Sequence, residues 1–549
     1  MKIAVAQMNP VVGDIKGNAG RALEFLRRAE ASGAELVLFP ELALTGYPPL
    51  DLLERREFVR ENLLALKDLA ARTRGTACLI GYADFNPSPR GRRLLNGAAL
   101  LHKGRIAGRR FKSLLPTYDI FDESRYFEPA TSNEPLPFKG ARLGVTICED
   151  VWAGTALLPW RELYGGSPLA GLRKKGADIY LNLSASPYYC GKPAERLSIL
   201  SGVARRLGRP LVYANQYGAN DDIIFDGNSL ALDGKGRIVA AARPFADDLI
   251  LFDTERPAGD AMPFAPGETA ELRAALKLGI ADYFSKMGFS RAVLGLSGGI
   301  DSALVACLAA DALGPDNVTA LLMPSRFTEK RSVDDALRLA RALGIRHETI
   351  PIDPLYRTFA SALGRKNPYA KIDLTLQNLQ SRARGTLLMA RANEHGALAL
   401  ATGNKSEIAM GYCTLYGDTA GALAPLSDLV KGRVYELSAL YPEIPASIMK
   451  RPPTAELKPG QKDQDDLPPY EKLDRLVSLL VEDGLTPEKA AAAAGLSEKE
   501  ASRIAARITA NEYKRRQLPI GLKVTRKAFG QGRKMPVAKR LSAGPGPGC

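Results

Sequence analysis

The chain has 549 residues, of which 46% are hydrophobic and 25% are charged. That length exceeds a typical domain and the composition is ordinary for a globular protein, so we expect two large domains and exclude wholesale disorder. The formal net charge of +15 would attract polyanions, but much of the excess is local, in residues 514–516 and 533–540. A small phosphate-bearing substrate satisfies the same electrostatics, so we expect no nucleic-acid partner.

Cysteine and histidine usage narrows the possible chemistry. The six cysteines are scattered without a C-x-x-C pair, which speaks against a disulfide framework and a thiolate zinc site. The three histidines show no metal-ligand spacing. The chain opens on a strand-like segment that lacks the apolar core of a signal peptide, and it contains no apolar run of about 18 residues. We therefore expect a cytoplasmic enzyme without a membrane partner.

Residues 1–255 alternate strand-like and helical stretches, which predicts an α/β domain. The predicted helix covers residues 21–32, and the predicted strands cover residues 2–7, 36–39, 77–81, 142–147, 178–183 and 210–214. Residues 256–268 are polar and contain proline and glycine, which is typical of an interdomain linker.

A second α/β pattern follows over residues 269–533. It begins with a predicted helix at 269–287 and a strand at 291–296, which then turns into an apolar helix from Asp301. Residues 534–549 are basic and end in GPGPGC, so we expect a disordered tail.

Three segments of the first domain contain residues suited to catalysis. Glu41 ends an apolar strand in FPELALTGYPP, Lys112 has an apolar frame in FKSLLP, and Cys148 closes a β-branched strand in LGVTICEDVW. Each residue alone is more simply read as a surface acid, a solvated lysine or a small core cysteine. Together and in this order, the segments resemble the nitrilase superfamily, and PELxLTGYPP with ICEDxW is similar to its NAD⁺ synthetase branch.

The resemblance implies an α-β-β-α sandwich that hydrolyses glutamine. A free thiol is only a few per cent thiolate at neutral pH and needs a base to activate it. Cys148 would attack the side-chain amide, Glu41 would carry the proton from the thiol to the departing ammonia, and Lys112 would stabilise the oxyanion. A thioester intermediate would then be hydrolysed.

The same resemblance implies which residues hold glutamine: Tyr118, Ser186 and Lys192. It also implies that Glu123 orients Lys112. The sequence departs from the family in residues 218–222, GANDD, where relatives commonly carry GGQDE. Contacts from that loop are therefore not assigned.

The second domain contains LGLSGGIDSA at residues 294–303, a strand that runs into a glycine-rich turn and a helix. Glycines allow positive φ and a close approach to an anion, and a helix N-terminus offers unpaired N–H groups, so the turn is suited to phosphate. The segment lacks the spacing of a Walker loop. It resembles the pyrophosphate loop of ATP pyrophosphatases, a Rossmann-like parallel-sheet fold, and on that resemblance the loop residues that bind ATP are Gly295, Leu296, Ser297, Gly298, Gly299, Ile300, Asp301 and Ser302.

Three later segments, QNLQSRAR, ATGNKSE and GYCTLYGDT, follow in order and resemble NAD⁺ synthetases. The resemblance implies that Thr402 contacts ATP and that Asn378, Glu407 and Lys514 contact deamido-NAD⁺. Asp428 and Lys431 are further candidates for this site. Asp301 is the candidate ligand of Mg²⁺, an ion that prefers hard oxygen ligands.

The implied reaction is an adenylation of the nicotinate carboxylate followed by attack of ammonia, which yields NAD⁺, AMP and pyrophosphate. The resemblance further implies a homo-oligomer and an internal tunnel that guides ammonia. Its matched segments extend from residue 2 to about residue 533.

Three other readings stay open on the residues alone. The basic charge and the Ser297–Ser302 loop also suit an ATP-using enzyme that modifies tRNA, although zinc cysteines and a recognisable RNA module are missing. Residues 485–507 resemble a helix-turn-helix of a DNA-binding regulator, a pattern that is more often an ordinary helical hairpin. The third reading is an ammonia-only synthetase with an inactive amidase, which intact Glu41, Lys112 and Cys148 disfavour.

Overall fold

The computed structural model describes residues 1–153, 164–255 and 267–539. The chain forms two compact units, Met1–Glu268 and Thr269–Cys549. Most of the predicted linker, residues 256–266, and most of the predicted tail, residues 540–549, lie outside the described residues. Within the part of the chain that is described, no helix is both long and apolar enough to cross a membrane.

The first unit contains two six-stranded sheets and a two-stranded hairpin. Its strands are β1 (Lys2–Gln7), β2 (Leu36–Leu38), β3 (Ala77–Phe85), β4 (Leu94–His102), β5 (Arg105–Phe111), β6 (Leu136–Phe138), β7 (Ala141–Ile147), β8 (Ile179–Ser184), β9 (Leu211–Asn215), β10 (Tyr217–Asn220), β11 (Ile223–Asp226), β12 (Leu230–Leu232), β13 (Ile238–Ala241) and β14 (Asp248–Asp253). Its helices are α1 (Ile15–Ala31), α2 (Arg56–Arg72), α3 (Pro168–Lys174) and α4 (Lys192–Leu207). The sheet orders are β14-β1-β2-β3-β4-β5 and β13-β12-β9-β8-β7-β6, with β10 and β11 as the hairpin.

The strands of the two sheets face each other across one apolar layer. Ile3, Val5 and Leu36 of the first sheet belong to the same buried cluster as Leu143 and Val145 of the second. Helices α1 and α2 cover the outer face of the first sheet, and α3 and α4 cover the outer face of the second. Because each sheet is apolar on both faces, each needs a cover on both sides. The predicted α-β-β-α sandwich is confirmed.

The second unit is built on one six-stranded parallel sheet. Its strands are β15 (Ala292–Gly295), β16 (Val318–Leu322), β17 (Arg346–Thr349), β18 (Leu398–Leu400), β19 (Leu423–Ala424) and β20 (Ile520–Gly521). Its helices are α5 (Glu268–Met287), α6 (Ile300–Leu313), α7 (Lys330–Ala342), α8 (Asp353–Ala362), α9 (Leu374–His395), α10 (Lys405–Met410), α11 (Lys431–Ser438), α12 (Ala446–Lys450), α13 (Tyr470–Val481), α14 (Pro487–Ala493), α15 (Glu498–Ala510) and α16 (Glu512–Arg515).

In the strand order β17-β16-β15-β18-β19-β20, the chain adds strands on one side of β15 and then, from β18 onward, on its other side. In open parallel sheets, the crevice at the carboxyl ends of the strands beside such a reversal is where ligands bind. The predicted Rossmann-like sheet is confirmed, and its order places the glycine-rich turn after β15 at this crevice.

The helices that resembled a helix-turn-helix pack within the second unit. Ala490 and Ala491 of α14 and Ile504 of α15 are buried in one cluster with Leu473 of α13 and Met410 of α10. The apolar faces of α14 and α15 therefore serve this helical subdomain.

Candidate active sites

The three residues predicted to act in the first unit each lie just beyond or near a strand end. Glu41 follows β2, Lys112 follows β5, and Cys148 follows β7. The Nζ atom of Lys112 lies 2.7 Å from Oε1 of Glu41 and 2.8 Å from Oε1 of Glu123. Glu41 and Lys112 are 0% exposed and Glu123 is 5% exposed, so the cluster is out of bulk water.

Neutral donors fix the carboxylate of Glu41. The side-chain amide of Asn96 donates to Oε1 at 2.8 Å, and the backbone N–H of Ala185 donates to Oε2 at 3.2 Å. Glu123 is held in the same way, because the Tyr47 hydroxyl donates to its Oε1 at 2.8 Å. The cluster is therefore held in one arrangement before any substrate binds.

Burial and charge shape the protonation of this cluster. Burial opposes the charge of the Lys112 ammonium, but Glu123 and Glu41 outweigh it and raise its pKa well above the ordinary value. Burial raises the pKa of Glu123 to about 7, although Lys112 acts in the opposite direction. Burial and the Glu41 carboxylate raise the pKa of the Cys148 thiol, with Lys112 opposing them. The thiol of the free protein is therefore protonated and depends on a base.

Cys148 lies at a tight turn with φ of 41°, a backbone conformation that residues other than glycine rarely adopt. Such strain persists only where the surroundings hold it. The buried Asp150 carboxylate accepts N–H bonds from Ile147 at 3.0 Å, Ser113 at 3.0 Å and Leu114 at 2.9 Å, and the Asn182 side chain donates to the Cys148 carbonyl at 3.4 Å. Asp150 thereby connects the cysteine turn to the backbone beside Lys112.

The residues predicted to bind glutamine lie on segments next to this cluster. The Tyr118 hydroxyl donates to Glu149 at 3.0 Å, and the Tyr164 hydroxyl donates to the same carboxylate at 2.9 Å. The Nζ atom of Lys192 lies 5.1 Å from the ring centre of Trp152, and burial lowers the pKa of this lysine.

Ser186 has its own buried support. Its N–H donates to Oδ1 of Asn215 at 2.8 Å, and its hydroxyl lies 3.5 Å from Nη2 of Arg196, which forms a buried ion pair with Asp226. In the loop that departs from the family, Asn220 donates to the Tyr47 carbonyl at 2.8 Å. That loop is therefore tied to the segment that holds Glu123.

The second unit contains a cavity of about 1090 Å³ at the carboxyl ends of β15, β16 and β18. Leaving aside the further candidates Asp428 and Lys431, all residues predicted from the sequence to bind ATP or deamido-NAD⁺ line it: Gly295, Leu296, Ser297, Gly298, Gly299, Ile300, Asp301, Ser302, Asn378, Thr402, Glu407 and Lys514. The structure thus brings four separate sequence segments to one space.

The glycine-rich turn is shaped by a close approach of backbone to backbone. Gly298 has φ of 82°, and a Cβ added there would lie 2.3 Å from the Ser332 carbonyl oxygen. The Ser302 hydroxyl donates to the Gly299 carbonyl at 3.0 Å and accepts the Ser297 N–H at 3.2 Å. The turn is closed upon itself at the N-terminus of α6, where N–H groups favour an anion.

A charged cluster stands beside this turn. The Lys431 ammonium bridges Asp301 and Glu407, 3.2 Å from Glu407 Oε1, and Asn404 donates to Asp301 at 2.9 Å. Burial opposes the charge of Lys431, but Asp301 and Glu407 raise its pKa above the ordinary value. Burial raises the pKa of Glu407 to about 8, with Lys431 opposing the shift.

The further candidate Asp428 and the already named Lys514 differ in their surroundings. Asp428 does not line the cavity, and it accepts the N–H groups of Val524 and Thr525 at 2.8 Å each and pairs with Lys405 at 2.9 Å. It holds a C-terminal segment in place. Lys514 lines the cavity and donates to the carbonyls of Gly411 at 2.7 Å and Cys413 at 2.9 Å.

The oxygen donors that line the cavity fit a magnesium ion bound mainly by phosphate. Asp301 and Glu407 present carboxylates beside the glycine-rich turn, and among the described residues no group of three or more potential ligands forms a closed metal cluster. Mg²⁺ typically uses one or two carboxylates and completes its shell with substrate phosphates and water.

Sequence reasoning did not single out several residues that the structure places at the two sites. In the first unit these are Tyr47, Asn96, Glu149 and Asp150; in the second they are Arg384, Arg451, Asp463, Arg503 and Arg507. Tyr47, Glu149 and Asp150 stand inside the quoted motifs, so those motifs held the signal. Arg503 and Arg507 belong to the helix-turn-helix-like segment, and their positions on α15 face the cavity.

Comparison with known proteins assigns a family to each unit. Residues 2–259 match the carbon-nitrogen hydrolase family and residues 272–518 match the NAD synthase family. A glutamine-dependent NAD(+) synthetase of Synechocystis is 45% identical over 553 residues, covering 98% of both chains, and one of Thermotoga maritima is 39% identical over 98% of this chain and 99% of its own. The structure of such a synthetase from Acinetobacter baumannii, in complex with ADP, is similar with a TM-score of 0.76 and 34% identity over 98% of each chain.

Proposed function

Since this chain belongs to the family of glutamine-dependent NAD⁺ synthetases, we propose that Cys148, Glu41 and Lys112 release ammonia from glutamine and that the cavity of the second unit uses it. The enzyme is an ATP-dependent ligase of NAD biosynthesis that amidates deamido-NAD⁺ to NAD⁺. One observation carries the assignment of residues: the Lys112 ammonium lies between the buried carboxylates of Glu41 and Glu123, and Asp150 connects the backbone beside Lys112 to the Cys148 turn.

In the first unit, the carboxylate of Glu41 takes the proton of the Cys148 thiol as the sulfur attacks the amide carbon of glutamine. The negative charge that develops on the amide oxygen is stabilised by the Lys112 ammonium, which Glu123 keeps protonated and in position. The tetrahedral intermediate collapses when Glu41 returns the proton to the leaving ammonia, which leaves a thioester. Water then attacks the thioester with Glu41 as base, and glutamate is released.

The glutamine is held by Tyr118, Ser186 and Lys192 in this proposal. A buried lysine with few counter-charges is suited to a substrate carboxylate, and Lys192 has only the Glu195 carboxylate at 3.6 Å as a described ion-pair partner. The bond from Tyr118 to Glu149 orients the phenol at the side of the cysteine turn.

In the second unit, the backbone N–H groups of residues 295–302 hold the pyrophosphate portion of ATP. The nicotinate carboxylate of deamido-NAD⁺ attacks the α-phosphorus, pyrophosphate leaves, and an acyl adenylate forms. Ammonia then attacks the carbonyl carbon, AMP leaves, and a proton is lost to give the carboxamide of NAD⁺. Thr402 contacts ATP, while Asn378, Glu407 and Lys514 contact deamido-NAD⁺.

Asp301, with Glu407 beside it, would hold Mg²⁺ together with the phosphates of ATP. The ion supplies neutralisation of the charge on the departing pyrophosphate. The Lys431 ammonium, which bridges both carboxylates, keeps their charge balanced and their positions fixed.

The same proposal covers the setting of the enzyme. The protein acts in the cytoplasm on small molecules, without nucleic-acid or membrane partners, and assembles as a homo-oligomer. The described boundary between the two compact units supports separate reactions in the two halves.

The purified protein tests the proposal when it is incubated with deamido-NAD⁺, Mg-ATP and glutamine and the products are separated by chromatography. We expect NAD⁺ and AMP in equal amounts, together with glutamate. ADP in place of AMP would contradict adenylation. A preparation that forms no NAD⁺, even with added ammonium, would contradict the assignment of the second unit.

A further inference from the structure

Arg384 is a half-buried cation on the wall of the cavity of the second unit. Its Nε donates to the Met323 carbonyl at 3.0 Å, and among the described residues neither terminal nitrogen has a carboxylate within ion-pair distance. Burial lowers the pKa of Arg384 to about 10, an effect that Glu456 and Asp418 offset only in part. A guanidinium that is desolvated without a counter-ion is costly.

The other cations of the cavity are engaged or exposed. Arg507 donates to the carbonyls of Met410 at 2.9 Å and Asp466 at 3.0 Å. Lys431 is paired with two carboxylates, and Arg451 is paired with Asp335. Lys514 donates to two backbone carbonyls. Arg503 is exposed to solvent. Among the described residues, Arg384 is therefore the half-buried cavity cation whose two terminal nitrogens are left for a ligand.

The two carboxylates that act on the pKa of Arg384, Glu456 and Asp418, already have other partners. Asp418 accepts the Ser381 hydroxyl at 2.9 Å and the Thr414 N–H at 2.8 Å, and Glu456 accepts the Ser332 hydroxyl at 2.6 Å. Neither is free to turn towards the guanidinium without losing a buried hydrogen bond. Neither carboxylate therefore serves as the counter-ion of Arg384.

Helix α9 presents Arg384 to the cavity in a fixed way. The cavity-facing residues of this helix recur at helical spacing: Gln377, Asn378, Ser381, Arg384, Gly385 and Leu388. A Cβ on Gly385 would lie 2.5 Å from the Tyr416 carbonyl oxygen, so the helix is packed directly on the 416–417 turn. The position of Arg384 is thus set by close packing.

The Met323 carbonyl, to which Arg384 donates, lies next to the glycine-rich turn. Gly295, the last residue of β15, pairs in parallel with Leu321 of β16, and Met323 directly follows the end of β16. Neighbouring strands lie about 4.8 Å apart. Met323 also lies against the turn, because a Cβ on Gly295 would meet its Cε at 3.3 Å.

We propose that Arg384 binds a phosphoryl group of ATP through its two terminal nitrogens, an assignment that rests on the proposed function of the second unit. Paired N–H donors of a guanidinium match two phosphate oxygens, and such charge-assisted bonds are the strong ones. The guanidinium and the backbone N–H groups of residues 295–302 then hold the phosphate chain from two directions. The ligand supplies the negative charge that the protein does not place beside Arg384.

The test compares Arg384→Met and Arg384→Lys with the wild-type enzyme, with ammonium as the nitrogen source. We expect the methionine variant to raise KM for ATP about 10- to 100-fold, with KM for deamido-NAD⁺ unchanged and the lysine variant in between. The matched control is Arg391→Met on the same helix. Arg391 pairs with Glu348 at 3.0 Å, does not line the cavity, and should leave both constants unchanged.

Calorimetry with AMP and with inorganic pyrophosphate separates the possible phosphoryl groups. If Arg384→Met binds only AMP more weakly than the wild type, Arg384 contacts the α-phosphate. If it binds only pyrophosphate more weakly, Arg384 contacts the β,γ-phosphates. Unchanged binding of both by a folded Arg384→Lys protein overturns the proposal, as does a rise confined to KM for deamido-NAD⁺. These titrations need no turnover, so they test the role of Arg384 even if the wild-type enzyme makes no NAD⁺. Failure to make NAD⁺ would contradict only the proposed function.

Discussion

At the scale of single residues, Lys112 is the side chain on which the first unit most depends. Its ammonium lies between two buried carboxylates and is itself 0% exposed. Removing one member of such a group leaves uncompensated charge in a medium of low polarity. In the proposed mechanism, the same lysine also stabilises the oxyanion.

Lys112→Met is expected to destabilise the first unit by about 3–5 kcal/mol, because Glu41 and Glu123 would be left buried without their cation. Urea unfolding followed by tryptophan fluorescence measures this, since both tryptophans, Trp152 and Trp160, belong to the first unit. The control is Lys139→Met. Lys139 pairs with Glu35 at 2.7 Å on the surface, where about 0–1 kcal/mol is expected. Equal losses in both variants would contradict the structural account of Lys112.

The titration of Glu123 predicts how the stability of the first unit changes with pH. Its pKa is about 7 in the folded protein against an ordinary value of 4.5, so the folded state binds more protons than the unfolded state between these values. Stability contributed by this group is therefore present below pH 4.5 and is lost as pH rises towards 7.

Glu123→Gln removes this titration. Relative to the wild type, the variant should gain on the order of 1–3 kcal/mol between pH 4.5 and 7, on top of a constant offset from the altered bond to Lys112. Urea unfolding at several pH values measures the difference. Stability curves that run parallel over this interval would show that Glu123 does not titrate as stated.

Among single residues, the motifs predict Glu41, Lys112 and Cys148 as catalytic residues, but they do not indicate that Asp150 holds the cysteine turn. A buried acid that accepts three backbone N–H bonds is defined by a turn that exists only after folding. The place of Arg384 on the cavity wall was not predicted for a similar reason. In QNLQSRAR two arginines stand on one helix, and only the packing of α9 decides which faces the cavity.

At the scale of elements, the glycine-rich turn between β15 and α6 shows how backbone shape makes a site. The turn brings Gly298 against Ser332 at the start of α7, so the residue needs both positive φ and the absence of a side chain. The turn and α7 are therefore fixed together.

Gly298→Ala is expected to lower ATP-dependent amidation with ammonium by more than about tenfold, because the added Cβ would lie 2.3 Å from a backbone oxygen and displace the phosphate-binding turn. Gly314→Ala is the matched control. Gly314 has a similar φ of 83° but nothing within 4 Å of the added Cβ. Steady-state kinetics should show normal KM for ATP in the control, at a stability cost of about 1–2 kcal/mol. An unaffected Gly298→Ala enzyme would contradict the role given to the turn.

Several elements were predictable because their patterns are local. The strand predicted at residues 2–7 is β1 (Lys2–Gln7), and the helix predicted at 269–287 is α5 (Glu268–Met287) to within one residue. The α14–α15 segment was ambiguous, because two short amphipathic helices look alike whether they pack on a core or enter a DNA groove. Its burial against α10 and α13 depends on residues distant in sequence.

At the scale of the whole molecule, the change of pattern along the chain predicts two domains, but it does not predict the order of the strands. The order β17-β16-β15-β18-β19-β20 gathers residues 295–302, 378, 402 and 407 at one edge of the sheet. Each segment carried a motif, but only the fold places them around one cavity. The charge of +15 is likewise compatible with phosphate-bearing substrates.

The central claim is that a sulfur nucleophile in the first unit supplies the nitrogen that the second unit consumes. The most direct test supplies glutamine labelled with ¹⁵N in the side-chain amide, together with deamido-NAD⁺ and Mg-ATP, and measures the mass of the NAD⁺ formed. The wild-type enzyme should transfer the label to the carboxamide of NAD⁺, whereas Cys148→Ala should transfer none and still make unlabelled NAD⁺ from added ammonium. Labelled NAD⁺ from the Cys148→Ala enzyme, or loss of its ammonium-dependent synthesis, would contradict the claim.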